Sequence, residues 1–518
     1  MKFIRTGIAL VLIGLLMTSW GMIRATEKVQ PPERIFETDI TNDLTVFSGE
    51  PEIAVDPTHP GSLAIIEFAV GSSKVPAYSG EPFMVGPDRL KDAMVNNNRI
   101  MLSKDGGNTW TARASPLFDP EKSPISADPA IAYGPDGSLY ADTVFAPKER
   151  PSNPFDFSGY SNTITVSRDR GKTFSKPLPV PMAPHRPFLR VDNRTGTVYL
   201  TTFGFDPSVK VQTDDSLQDG WLVAFKPDLT AHSEPRRFGG PDFSSARGSL
   251  TAANGVVATT LVLGPPKLES ASRAPPAPMP IPASLQALIN DGTKMCSLQK
   301  PCVFFQTSSD EGQHWTRHHV PLPADGFSGL LPFIAADPGQ PGRYAVGIQS
   351  QDETKLNVLV TDDSGATWSG PHAIPETAKG KDFKAWMDYG PTGVLGFMWK
   401  KQRDDLTPPP KQAANAGGAW SPPGLVGAAF DVYAAISCDG GRTWLPPVRV
   451  NAVTSPPGPN RQDDLSYLVL DARYAHLVWG DRRSISKITN APNGRGGVQA
   501  YYGRVPFSAM SNGATCGR

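Results

Sequence analysis

The 518-residue sequence predicts an all-β fold, a β-propeller of four-stranded antiparallel blades, and three observations carry that prediction. An eight-residue pattern, Ser/Thr-x-Asp-x-Gly-x-x-Trp/Phe, occurs five times: Ser103 to Trp110, Ser167 to Phe174, Ser308 to Trp315, Thr361 to Trp368 and Ser437 to Trp444. A second unit, an apolar strand, a Gly-containing turn and another strand, recurs between these copies. With 53 Pro and 49 Gly, the composition suits many turns and few long helices.

The strand–turn–strand unit is found seven times: Glu52 to Ile66, Ala130 to Val144, Phe188 to Thr202, Leu250 to Val262, Phe333 to Ile348, Trp386 to Trp399 and Tyr467 to Trp479. A third apolar run then leads into each eight-residue pattern, as in Asn162 to Val166 or Leu356 to Val360, and a fourth leaves it. In the pattern the Ser or Thr hydroxyl and the Asp carboxylate can satisfy local N–H groups, Gly takes a positive φ, and the aromatic packs back onto the sheet. The third unit has a degenerate turn near Lys226 to Leu229, and the seventh ends on the single strand Gln499 to Val505. Residues 35–47 precede the first unit with no local partner, so this segment is expected to complete the last blade and close the ring. Seven blades follow, or six if one unit is an appendage.

Antiparallel connectivity sorts the loops. Turns from first to second strand and from third to fourth share one face, which therefore carries the Asp-centred turns. Insertions at 71–98, 264–301 and 401–429 fall between second and third strands and crowd the other face. Two are Pro-rich, as in Ala274 to Pro282 and Thr407 to Pro410. Such loops are either solvated decoration or a binding surface on a rigid scaffold.

The N-terminus has a charged head followed by an apolar stretch from Gly7 to Ile23, which reads residues 1–25 as a secretory signal or an uncleaved membrane anchor. A secreted or periplasmic protein is expected. Lys plus Arg and Asp plus Glu both number 50, so no global charge favours nucleic acid as a partner. Cys296 and Cys302 are close enough in sequence to bridge, while Cys438 and Cys516 could pin the tail 508–518 to the body. No HExxH, Gly-rich phosphate loop or G-x-S-x-G elbow is present, and no metal or cofactor is expected.

The five octapeptides match the Asp-box, also called the bacterial neuraminidase repeat, and the chain resembles the sialidase-like β-propeller superfamily over residues 35–507. That resemblance implies structural roles for Asp105, Asp169, Asp310, Asp363 and Asp439. It implies either a carbohydrate-active enzyme or a propeller without catalysis. True sialidases carry a Phe/Tyr-Arg-Ile-Pro motif, three arginines that clamp a carboxylate, an acidic proton donor and a Tyr/Glu pair. Here the nearest matches, Arg34-Ile35-Phe36 and Arg99-Ile100-Met101, lack the flanking aromatic and the Pro, and Tyr501 and Tyr502 read as packing residues.

Inner strands line the propeller axis and begin at the loop-rich face, so polar residues there are the site candidates. They include Glu50, Glu52, Asp128, His185, Arg186, Arg247, Lys384, Asp388 and the run Arg461 to Asp464, joined from second-strand exits by Glu67, Asp142, Trp399, Lys400, Asp481 and Arg482. Asp463, Asp464, Asp128 and Glu67 are the candidate proton-transfer acids, since most glycosidases need two carboxylates. Arg186, Arg247, Arg482, Asp388 and Trp399 are the candidate substrate contacts, the arginines suiting an anionic sugar. The alternative role for all of them is a hydrated, internally paired channel. Two functions follow: a glycoside hydrolase acting on an anionic glycan, or a non-catalytic platform binding a glycan or protein through the loop-rich face.

Overall fold

The computed structural model describes residues 33–42, 46–71, 95–96, 98–114, 126–145, 161–180, 187–204, 219–238, 250–263, 302–328, 333–403, 428–457, 465–484, 498–511 and 516. From Arg34 onward the chain forms one compact unit. The expected leader, residues 1–25, lies outside the described residues.

The repeated strand units form seven antiparallel sheets. Blade 1 runs Val46–Val55, Leu63–Gly71, Arg99–Ser103 and Thr111–Ala114, with Val95–Asn96 added beside its second strand. Blade 2 is Ser126–Tyr133, Leu139–Phe145, Ser161–Ser167 and Leu178–Val180. Blade 3 is Phe188–Val191, Val198–Gly204, Asp219–Phe225 and Arg236–Arg237. Blade 4 is Leu250–Ala253, Val256–Leu263, Cys302–Ser308 and Thr316–Val320. Blade 5 is Phe333–Ala336, Tyr344–Gln349, Leu356–Thr361 and Ser369–Ala373. Blade 6 is Asp382–Tyr389, Leu395–Gln402, Phe430–Ser437 and Val448–Arg449. Blade 7 is Ser466–Leu470, Tyr474–Asp481, Gln499–Pro506 and, from the N-terminus, Phe36–Asp39. Each first strand touches the next, and that of blade 7 touches that of blade 1, so the sheets close into a seven-bladed β-propeller.

The closing strand is shorter than residues 35–47. Phe36 pairs with Arg504 and Asp39 with Tyr501, whereas Val46 and Phe47 already belong to blade 1 and pair with Gly71 and Val70. The expected insertions 71–98 and 401–429 are narrower too, since the flanking strands extend into them. Connections 146–160, 205–218 and 485–497 also fall between second and third strands, so this face carries more long connections than the three read from the sequence.

All five Asp-centred turns have one geometry. The first hydroxyl donates to the Asp carboxylate at 2.7–2.9 Å and accepts the Gly N–H at 2.7–2.9 Å. The seventh residue gives its N–H at 2.8–2.9 Å and its side chain at 2.6 Å to the same carboxylate. The Gly does more than adopt positive φ. Gly107 has φ 87°, and a Cβ there would collide with Tyr502 of blade 7; at Gly365, φ 97°, it would lie 2.6 Å from Phe305 of blade 4. The aromatic follows the same path: Trp110 packs on Tyr502 at 5.0 Å and Trp368 on Phe305 at 5.5 Å. Each of these turns clasps the preceding blade.

Apolar side chains fill the spaces between blades, as where Ala130, Tyr140 and Ile164 of blade 2 meet Leu189, Val198 and Leu200 of blade 3. Cys438 is bonded to Cys516, fastening the C-terminal tail to the fifth Asp-centred turn. Cys302 is disulfide-bonded, and its expected partner Cys296 lies outside the described residues.

Candidate functional site

The axis is not an open pore. Phe188 of blade 3 and Trp386 of blade 6 stack at 6.0 Å and 9°. Those blades are not neighbours, so the pair bridges the ring. Tyr467 packs on Trp386 at 4.3 Å and Phe333 at 6.2 Å, completing an aromatic plug. These four residues occupy the same position in their units, and blade 1 places Glu52 there instead.

Arg190, two residues after Phe188, reaches across the ring. Its Nη1 donates to Glu52 Oε1 at 2.9 Å, and its Cζ lies 5.5 Å from the centre of the Trp386 ring. Glu52 Oε2 accepts the Ile131 N–H at 3.1 Å. Burial pushes the Glu52 carboxyl up to about 7, with Arg190 offsetting part of the effect. Burial likewise lifts Asp388 to about 6, again opposed by Arg190. Fully buried Asp142 is pushed well up by burial and then by the Glu52 charge. Burial disfavours the Arg190 cation, but Glu52 and Asp388 more than compensate and raise its pKa.

These shifts predict a pH dependence. A raised carboxyl binds its proton more tightly in the folded chain, so the Glu52 contribution is whole below the unfolded value of 4.5 and is lost as pH rises through about 7. Between these limits the wild type should lose up to roughly 3 kcal/mol relative to Glu52→Gln. Urea unfolding of both proteins across that range reads the difference, and parallel pH profiles would contradict it.

Toward the loop-rich face the inner strands share a second feature. Blades 1, 2 and 6 each carry a β-bulge, between Gly49 and Glu52, Ala127 and Ala130, and Phe383 and Trp386. Inside these bulges Glu50, Asp128 and Lys384 adopt φ of 46°, 43° and 50°, a strained region for residues with side chains. All three are half-buried. Two carboxylates from adjacent blades and one ammonium are thus held by the same backbone device at one end of the axis.

The remaining predicted residues are dispersed. Asp463, Asp464, Arg186 and Arg247 lie outside the described residues. Glu67 is fully buried and accepts hydrogen bonds from Thr41 Oγ1 at 3.1 Å, from Ser48 Oγ, and from Arg99 Nε at 2.9 Å. These contacts make it a structural hub where the ring closes. Arg482 is 1% exposed, with Nη2 on the Ala428 carbonyl at 2.7 Å and its guanidinium over Phe430. Trp399 is buried and stacks on Tyr433 at 5.8 Å. Neither side chain offers an accessible contact surface. Asp388 does join the axial cluster. Arg190 was not among the sequence candidates, although the other six units carry Ala54, Ala132, Ala252, Ala335, Asp388 and Val469 at its position. The contrast of an Arg against mostly small residues was the available signal.

The Asp-centred turns hold ionised acids: Thr367 and Thr361 draw Asp363 down to about 2, and equivalent bonds lower Asp169 and Asp310. They have no proton to donate near neutral pH. Among the described residues no three His, Cys, Asp or Glu side chains converge as a metal site.

No family model and no curated protein matches the chain. Among solved structures it is similar to a protein of unknown function from Dyadobacter fermentans, with 14% identity over 91% of this chain and 98% of that one and a TM-score of 0.45. It is also similar to a Hadza microbial sialidase, at 13% identity over 80% and 74% of the two chains and a TM-score of 0.43. An α-L-arabinofuranosidase from Fusarium graminearum shows 16% identity over 70% and 92%, with a TM-score of 0.39. At such identities and scores these likenesses assign no activity to this chain.

Proposed function

We propose that the protein is an extracytoplasmic, sialidase-like propeller that handles carbohydrate at its loop-rich face, as a glycoside hydrolase acting on an anionic glycan. The observation that carries this reading is the set of strained bulges holding Glu50 and Asp128 on neighbouring blades, with Lys384 in the equivalent place on blade 6. Two carboxylates on adjacent inner strands are the minimum equipment for protonating a leaving group and activating a nucleophile. Lys384, with Arg186 and Arg247, supplies positive charge for the substrate's anionic group. Asp463 and Asp464, which precede the inner strand of blade 7 in sequence, are further acids for the same mouth. The Asp-box resemblance of the octapeptides supports the carbohydrate assignment, and the Cys438 to Cys516 disulfide supports an oxidising compartment.

A second reading, a non-catalytic glycan- or protein-binding platform, is favoured by the aromatic plug and by the internal use of Glu67, Arg482 and Trp399. Turnover of sialosides and uronic-acid glycans by the purified protein separates the two. The hydrolase reading expects Asp128→Asn or Glu50→Gln to lower kcat by roughly a hundredfold or more. Asp463→Asn and Asp464→Asn test the blade 7 acids in the same assay. Activity unchanged by all four substitutions would sink the site, and glycan binding without turnover would establish the platform.

A further inference from the structure

The face bearing the Asp-centred turns, opposite the proposed site, holds a groove of about 770 Å³ between blades 1 and 2. Its walls are the first-to-second turns of blade 1, Thr58 to Ser62, and of blade 2, Asp136 and Gly137, with the two Asp-centred turns that supply Lys104, Arg168, Arg170 and Lys172. These four cations are not demanded by the fold. The second, fourth and sixth positions of the octapeptide are Arg168, Arg170 and Lys172 in blade 2. In blade 5 they are Asp362, Ser364 and Ala366, and in blade 4 Ser309, Glu311 and Gln313, yet all these turns share one geometry.

The cations are also arranged in two ways. Arg170 is braced by Asp56, its Nε donating to buried Asp56 Oδ2 at 3.0 Å, and its Nη2 meets the His59 ring at 2.6–2.8 Å; Arg168 Nη1 donates to Ser138 Oγ at 3.2 Å while lying 3.5 Å from Asp136, and its Nη2 donates to the Pro227 carbonyl at 3.2 Å. Both guanidiniums keep much of their surface in solvent, with 42% and 52% of the side chain exposed. Lys104 and Lys172 are exposed, and among the described residues their ammonium groups make no ion pair. The two carboxylates in the wall are engaged: Asp169 by Ser167 and Thr173, and Asp136 by Ser138 and Arg168.

We infer that this groove docks a linear sulfated glycan, with the half-exposed Arg168 and Arg170 guanidiniums as fixed positive charges and Lys104 and Lys172 as mobile ones. The guanidinium N–H groups left to solvent suit sulfate oxygens as they suit those of a carboxylate or phosphate. The concave form admits a chain, whereas a lipid surface would meet only the rim. No Phe, Tyr or Trp lines the groove, and its one aromatic ring, His59, is held against Arg170, so successive nucleic-acid bases would have no stacking platform. This site is independent of the proposed loop-face chemistry and stands or falls separately.

The test is titration of the purified full-length protein with a labelled heparin-derived hexasaccharide at about 50 mM salt and again at about 500 mM. Saturable binding that weakens with salt is expected, and Lys104→Glu combined with Lys172→Glu should reduce affinity by roughly tenfold or more, with an unchanged Tm. Lys379→Glu, in a blade-to-blade connection of the opposite face, should leave binding intact. The inference is overturned if no saturable binding occurs, if the double substitution binds as tightly as wild type, or if Lys379→Glu abolishes binding. Equal or tighter binding of oligothymidylate or of phosphatidylserine vesicles would overturn the glycan assignment.

Discussion

Deleting residues 34–41 is expected to destabilise the entire ring rather than fray one end. The deletion removes the four ladder pairs from Phe36 to Asp39, the buried Ile40, and Thr41, while leaving Val46–Val55 intact. The third strand of blade 7 would become an unpaired edge, and the Ile40 N–H bond to Ala500 O at 3.0 Å would be lost. Several net hydrogen bonds at about 1 kcal/mol each, plus a buried Ile at about 2 kcal/mol, approach the whole stability of an ordinary domain. A large fall in Tm or recovery only as aggregate is therefore expected. A synthetic peptide spanning residues 33–42 should restore part of the lost Tm, because it supplies the missing edge in trans. An unchanged Tm after deletion would refute closure by this strand.

The second large effect is expected at Glu67. Its carboxylate is fully buried and joins three parts of the closure: Thr41 from the closing segment, Ser48 from the inner strand of blade 1, and Arg99 from the third strand. Thr41 Oγ1 in turn accepts the Ala500 N–H of blade 7 at 2.8 Å. Glu67→Ala would take the paired carboxylate away from the partly buried Arg99 guanidinium, for which roughly 3–5 kcal/mol is expected. The double substitution Glu67→Met with Arg99→Met should recover part of that loss, because it removes both charges together. Urea unfolding measures each value. A Glu67→Ala cost within about 0.5 kcal/mol of zero would show that the carboxylate is dispensable, and a glycan-cleaving role would return to consideration.

Glu67 illustrates what a sequence leaves open about an acid's surroundings. An acid at the end of an apolar strand looks the same whether it faces a substrate or a neighbouring hydroxyl. Only the return of the chain from blade 7 brings Thr41 within 3.1 Å and settles what the carboxylate meets. Trp399 is a similar case, since Tyr433, which stacks on it, belongs to the adjacent strand and closes off the face on which a sugar could lie. Asp128 and Lys384 were legible as inner-strand residues at the axis mouth. Their positive φ was not, because the bulges depend on register with the second strand of each blade.

What the amino-acid order determined by itself is the blade. In an Asp-centred turn the bonds run between residues two and four apart, as from Ser103 to Asp105 and from Gly107 to Ser103, so eight residues contain all that the turn needs. Seven such strand groups could be counted in advance for the same reason, and an unpaired N-terminal segment beside an incomplete last unit indicated the closure. What only the tertiary structure decided is every relation between blades. Gly107 presses on Tyr502, Arg190 finds Glu52, Phe188 stacks on Trp386, and Lys104 and Lys172 line one groove. Those partners are separated by tens to hundreds of residues, and nothing local selects them. They meet because closing seven twisted sheets around one axis leaves each side chain a single neighbouring blade, or the opposite side of the axis, to contact.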